Sequence, residues 1–316
     1  MRVGPNAYVP RGTDRSSVEQ LILEKSVLLG PRGAVTGWAA LRLAGAAYFD
    51  GLRSDGTTPV PVLLAVGGPA GRRKHPGTVL SYEALADEER IVLHGIPATV
   101  PRRALFDEMR RLRDWRDAVV AMDMAAAAEL VSIGRMADYL AAHRSWRRSS
   151  VVESALPFCN ERSRSPAECR LRIVWEVDAG LPRPLVNCEV FGLDGRLLCI
   201  ADLFDPEAGL VVEYDGAEHR KALRHSRDVV REERCRAAGL EYCKVTSPDL
   251  RDIDSLVDRI KANRARARFA EEGDRAWTLT PPPGRHVPES LDDLLDRRQR
   301  IADRMEAERG FRPTAW

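Results

Sequence analysis

The stretch from Ser165 to Arg268 most restricts what this chain can become, because its apolar pattern changes period at each glycine-containing turn. SPAECRLRIVWEVDAG opens as a helix must: Ser165 is a natural N-cap, Pro166 suits the first turn, Glu168 completes an S-x-x-E capping box and Gly180 ends the run. The segments 186–191, 196–204 and 208–214 are short, apolar or alternating, and separated by Gly-containing turns, which predicts strands. A charged helix follows from about 219 to 238 with Gly239 as its stop, then a strand over LEYCKVT, 240–246, and a last helix from Ser247-Pro248 to about Arg268. Helix, three strands, helix, strand, helix is an α/β order: an antiparallel meander feeding a crossover helix.

The rest of the chain is less regular. Residues 1–16 are rich in Arg, Gly and Pro; helices are expected over Ser17–Val27 and 38–45, on either side of a Gly-Pro-Arg-Gly turn. TTPVPVLLAV, 57–66, suits a strand weakened by Pro59 and Pro61, and a strand pair is expected around His94-Gly95. From Pro101 the sequence reads as one helix through the alanines near 128, with Leu105, Met109, Leu112 and Val119 as its apolar stripe, and a further helix covers about 132–143. Three regions result: an N-terminal α+β domain over 1–150, an α/β domain over 151–268, and a Pro-rich linker with a charged helix from Leu291 to about Arg309 over 269–316. That last helix is an appendage or a docking element for a protein partner.

Net charge of +2 hides a division. Residues 1–150 carry 21 Lys+Arg against 16 Asp+Glu, residues 151–268 carry 20 against 21, and the tail 8 against 10. A nucleic-acid contact by the second domain therefore needs a local basic stripe. The six cysteines show neither CxxC nor zinc-type spacing, so ordinary reduced thiols are expected. No apolar run reaches eighteen residues and MRVGPNAYVP has no apolar signal core, so a cytoplasmic protein without membrane contact is expected.

The segment IADLFDPEAGLVVEYDGAEHR, 200–220, carries the chemistry. Side chains alternate along a strand, so Glu213 and Asp215 share a face, and Asp202 lies on the preceding strand. Pairing through DPEAG would bring three carboxylates to one end of the sheet. Like charges about 4 Å apart repel by roughly 1–4 kcal/mol per pair, so such a cluster is kept where it raises a pKa or holds a cation. Oxygen-only ligands suit Mg²⁺ or Mn²⁺. The alternative is a surface hairpin whose Asp-Gly only makes a turn. Glu168 is accounted for by its capping box, or else supports the metal. His219 is placed to act as a general acid and His225 to face water, although both could simply start the helix in solvent. Arg220, Arg224, Arg227, Arg231 and Arg234 recur at spacings of 4, 3, 4 and 3, one helix face. They form either a DNA phosphate track beside the acids or a solvated face paired with Asp228, Glu232 and Glu233.

SPAECRLR, the Asp-bearing strand, VEYDGAEHR and RDVVREERCRAAGLEYCKVT together resemble the domain family related to the very-short-patch-repair endonucleases, within the PD-(D/E)XK or restriction-endonuclease-like nucleases, over about 163–250. The resemblance implies a central mixed sheet flanked by helices. It implies Asp202 as the central metal-binding aspartate, Glu213 as the acid of the (D/E)XK element and Glu168 as a helix glutamate completing the metal ligands. It also implies His219 for proton transfer and Asp228 and Arg231 as a recurring D-x-x-R. Asp215 stands where many relatives carry Lys. AVTGWAALRLAG and HGIPATVPRRALFDEMRRL are similar, more loosely, to the antitoxin-like winged-helix proteins of abortive-infection type E, which implies an α+β winged-helix-like first domain. The expected function is a Mg²⁺- or Mn²⁺-dependent DNA endonuclease or nickase, supported by the acids and His219. The alternative, supported by the absent Lys and the neutral second domain, is a DNA-binding regulator or antitoxin-like protein on a decayed nuclease fold.

Overall fold

The computed structural model describes residues 2–4, 7–68, 75–216, 222–286 and 288–310, with the backbone alone for 2–4, 222–228, 306 and 308–310. The chain divides into two compact units, Met1–Glu161 with Glu289–Trp316, and Arg162–Pro288. Each is mixed α/β, built on its own mixed sheet.

In the first unit β1 (Arg2–Gly4) and β2 (Ala7–Tyr8) form a small antiparallel ladder ahead of α1 (Val18–Ser26), β3 (Ala34–Thr36) and α2 (Trp38–Leu43). Then come β4 (Val62–Ala65), β5 (Thr78–Ser81), β6 (Arg90–Leu93) and β7 (Ile96–Thr99), followed by α3 (Pro101–Met109), α4 (Trp115–Ala127), α5 (Ile133–Ala142) and α6 (Ser149–Ala155). The sheet order is β5-β4-β3-β7-β6, with β4–β5 and β3–β7 parallel. The expected pair around His94-Gly95 is the β6–β7 hairpin, whose turn residues have φ of 50° and 78°. Consecutive positive φ angles are what a tight hairpin turn requires.

The single helix read from Pro101 onward is instead two. α3 stops at Met109, and Asp114, in extended conformation, accepts the Arg116 N–H and starts α4. An Asp side chain that caps a new helix competes with continuation of the old one. Behind the break lies a buried charge network. Arg103 donates to Asp107 Oδ2 at 2.8 Å and Glu89 Oε2 at 2.7 Å, Thr36 Oγ1 to Asp107 Oδ2 at 2.9 Å, and Arg110 Nε to Asp107 Oδ1 at 3.0 Å. Buried charges persist only when paired in this way.

The second unit begins with α7 (Pro166–Ile173), which widens into a π-helical turn over Val174–Asp178. β8 (Leu185–Gly192), β9 (Leu197–Asp205) and β10 (Leu210–Asp215) form the meander; α8 (Ala222–Ala237) crosses to β11 (Glu241–Thr246), and α9 (Ile253–Arg266) follows. Gly239, at φ 81°, stops α8 as expected. The sheet order is β11-β10-β9-β8 plus an added edge strand, β12 (Trp277–Thr278); only β10–β11 is parallel. β12 lies within what reads in sequence as a linker. Trp277 anchors it, buried edge-on against Phe204 with ring centroids 5.1 Å apart.

Each face of the sheet is covered. Leu171, Trp175, Leu256 and Ile260 pack on Val186, Leu203, Val212 and Val245, while Cys235 and Trp277 pack on Val190, Phe204, Val211 and Tyr242. The charged C-terminal helix, α10 (Leu291–Gly310), belongs to the first unit. It buries Leu295 and bonds through Asp292 to Ser132, through Asp296 to Arg135 and through Arg298 to Glu129. These polar groups are thus engaged within the chain that the sequence left for a protein partner. Among the described residues no helix is long and apolar enough to cross a membrane.

Candidate active site

The β9–β10 ladder pairs Asp205 with Leu210, Phe204 with Val211 and Leu203 with Val212. The next residues along are Asp202 and Glu213. There Asp202 Oδ2 accepts the Tyr214 N–H at 2.7 Å, so a side chain takes over the ladder's hydrogen bond at the strand end. On its other edge β10 continues in parallel register with β11, which sets Glu213 beside Lys244. Strand alternation sends Tyr214 to the α9 face, where it packs in the core and its hydroxyl meets Ser247 Oγ at 2.6 Å. Glu213 is buried beneath α8, where Arg231 Nη2 reaches its Oε2 at 2.6 Å.

Burial pushes the Asp202 carboxyl up to about 7, and the Glu168 and Glu213 carboxylates push in the same direction; the Tyr214 N–H and the Arg231 guanidinium oppose them. Burial and the adjacent Glu213 charge also raise the Tyr242 hydroxyl. The structure therefore gathers Asp202, Glu213, Glu168 and Arg231 into one electrostatic neighbourhood. Asp215 ends β10, half-buried, level with Thr246.

Glu168 has the architecture of its capping box. Its N–H donates to Ser165 Oγ at 3.2 Å, and its carboxylate accepts from Ser165 Oγ, the Arg164 N–H and Asn187 Nδ2, each at 2.9 Å. Asn187, buried and at φ 45°, gives its second amide hydrogen to the Arg162 carbonyl at 2.8 Å. A left-handed Asn inside a strand is the device that turns its amide toward α7. Sequence reading passed over Asn187; an Asn within an apolar strand was its only signal.

The arginine stripe divides. Arg231 turns inward to Glu213 and Arg234 is exposed, while Arg236 pairs with Glu232 at 3.2 Å and Lys244 with the same glutamate at 3.0 Å. Arg231 is thereby a partner of a proposed ligand, a pairing across 18 residues that helical spacing cannot show. Lys244 was equally invisible as a neighbour of Glu213, since parallel register is set only by the crossover. His219 and Arg220 lie outside the described residues, as do the side chains of Arg224, His225, Arg227 and Asp228.

The half-buried Asp202, raised to about 7 chiefly by desolvation and further by the Glu168 and Glu213 charges, stands with the buried Glu213 as a pair of oxygen donors that suits a divalent cation. The wider shell of three carboxylates is not assembled. Glu168 accepts three hydrogen bonds, Glu213 carries the Arg231 guanidinium, and among the described residues no group of three or more His, Cys, Asp or Glu is placed to hold a metal ion. Compared with protein-family models, with curated proteins and with solved structures, the chain matches none.

Proposed function

We propose that the Arg162–Pro288 unit is a restriction-endonuclease-like domain that hydrolyses phosphodiester bonds in DNA with a divalent cation, Mg²⁺ or Mn²⁺. The observation that carries this reading is the meeting of Asp202 and Glu213 at the end of the β9–β10 ladder, with the Asp202 carboxyl raised to about 7. The order helix, meander, crossover helix, parallel strand supports it. Asp202 and Glu213 would hold the cation, which when bound polarises a phosphate and acidifies a water. The chain's own part is to orient these two acids. The Tyr214 N–H fixes the Asp202 carboxylate, and Arg231 holds Glu213 through an ion pair. Asn187 and Ser165 hold Glu168 where its charge acts on Asp202. His219 is the proposed proton donor to the leaving group. The Met1–Glu161 unit, read as winged-helix-like, would position the nuclease on its substrate.

A second reading, a DNA-binding regulator on a decayed nuclease fold, is favoured by the Glu213–Arg231 ion pair and by Asp215 at the usual Lys position. One experiment separates them. Supercoiled plasmid incubated with the full chain and Mg²⁺ or Mn²⁺ should be nicked or linearised. Asp202→Asn and Glu213→Gln should each slow this by about a hundredfold or more, because a metal site contributes several kcal/mol to the barrier. Wild-type protein that binds plasmid yet cuts nothing with either metal would leave the regulator reading in place.

A further inference from the structure

Four arginines, Arg110, Arg111, Arg147 and Arg148, line one cleft of ≈ 240 Å³ in the first unit, where the end of α3 meets the turn before α6. Arg110 is spoken for. Its guanidinium bonds Asp107 at 2.9 Å, Glu83 at 3.1 Å and the Arg147 carbonyl at 3.2 Å. The other three are exposed. Arg148 gives one N–H to the Leu112 carbonyl at 2.5 Å, and among the described residues no hydrogen bond or ion pair holds the Arg111 or Arg147 side chain. Arg148 also sits at φ 65°, a left-handed conformation strained for a non-glycine residue, which sets two consecutive arginines against the end of α3. Asp107 and Glu83 are engaged by Arg110, and burial raises the Glu108 carboxyl; Arg111 is lowered by desolvation and by the charges of Arg110 and Arg148, against the opposing pull of Glu108 and Asp107. The cleft thus gathers four guanidinia, and among the described residues those of Arg111 and Arg147 have no hydrogen-bond or ion-pair partner, while one end of the cleft carries the acids bound to Arg110.

We propose that this cleft binds a phosphate group, borne either by a small phosphate compound or by a polynucleotide backbone. Guanidinium forks match phosphate oxygens in pairs, and several forks converging on one cleft exceed what a two-oxygen carboxylate can use. The inference concerns the other unit and stands whether or not the nuclease reading does.

The test uses the full chain in EDTA, so that cleavage plays no part. Two probes are titrated: a short fluorescein-labelled DNA duplex by anisotropy and inorganic phosphate by calorimetry. Arg111→Gln/Arg147→Gln should weaken the probe that fits by about tenfold or more. If that probe is DNA, the slope of log K against log salt should also shrink by about 2, since each phosphate contact contributes about 0.9. Loss confined to phosphate assigns the cleft to small phosphates; loss on DNA assigns it to the backbone. Arg251→Gln/Lys261→Gln removes two exposed charges from the other unit and should change neither. Should the Gln pair melt early, Arg111→Lys/Arg147→Lys keeps both charges while losing the forks, and should bind several-fold more weakly at unchanged slope. The proposal is overturned if wild type binds neither probe. It is equally overturned if the cleft variants bind as wild type does, or if the control pair loses as much.

Discussion

Asp202 concentrates the physical tension of the second unit. Its carboxyl titrates near 3.8 when unfolded and at about 7 when folded. Between those values the folded chain holds a proton that the unfolded chain has released, so stability falls as pH rises from about 4 to about 7. That rise in pKa corresponds to about 4 kcal/mol at most, and partial exposure of the group reduces it to about 2–3 kcal/mol. Asp202→Asn does not titrate. In EDTA its melting temperature should match wild type near pH 4 and exceed it by pH 8, with Mg²⁺ then favouring wild type at the higher pH. Parallel melting curves across that range would show that the Asp202 carboxyl is not raised in the fold, and would remove one support of its proposed role as a ligand. Ser165 is the counterpart on the structural side. It caps α7 and donates to Glu168, so Ser165→Ala should cost about 1 kcal/mol in urea unfolding.

At the scale of elements, the informative piece is β12. Two residues of strand would contribute little alone, but Trp277 fills the sheet's α8-side core against Phe204 and lies under the Arg275 guanidinium, 4.7 Å from its ring centroid. Trp277→Ala should therefore cost about 3–5 kcal/mol, the range for deleting a buried large aromatic. Denaturant unfolding checks this, and a loss below about 1 kcal/mol would show that β12 is a decoration on a four-stranded sheet. α8 carries a different lesson. Arg231 faces the sheet, Arg234 faces out and Cys235 is buried, so a helix whose arginines recur at one spacing divides them between an ion pair and solvent.

At the scale of the molecule, the C-terminal helix returns to the unit in which the chain began. Leu295 is buried there, and Ser132, Arg135 and Glu129 receive its polar side chains. Exposed ion pairs contribute little, so most of the docking energy falls on the apolar contact. Leu295→Ala should destabilise the first unit by about 2–4 kcal/mol and leave Arg162–Pro288 unaffected. Hydrogen exchange read separately over the two units distinguishes this from a uniform loss. A uniform loss would mean that the two units unfold as one.

The elements whose signals are local stand close to where the sequence puts them. Ser165, Pro166 and Glu168 start α7 because the cap, the first-turn proline and the returning carboxylate all lie within four residues. Gly209 at φ 72° and Gly239 at φ 81° punctuate β10 and α8 because only glycine adopts that conformation without strain. Strand alternation and a short turn, which act over about a dozen residues, also set Asp202 and Glu213 side by side on adjacent strands, while Asp215, expected in the same cluster, ends β10 level with Thr246. The tertiary structure alone decided the rest. The break after α3 depends on Asp114 capping a second helix, and β12 on a groove beside Phe204 that exists only once the sheet has formed. Arg231 reaches Glu213, and Lys244 falls level with it, through a parallel register set by how α8 packs rather than by any spacing in the chain. α10 finds Ser132 and Arg135 some 160 residues away in sequence. Local propensity acts through near neighbours in the chain, whereas which charge meets which is settled by packing between elements far apart in sequence, and residue spacing within one element does not show it.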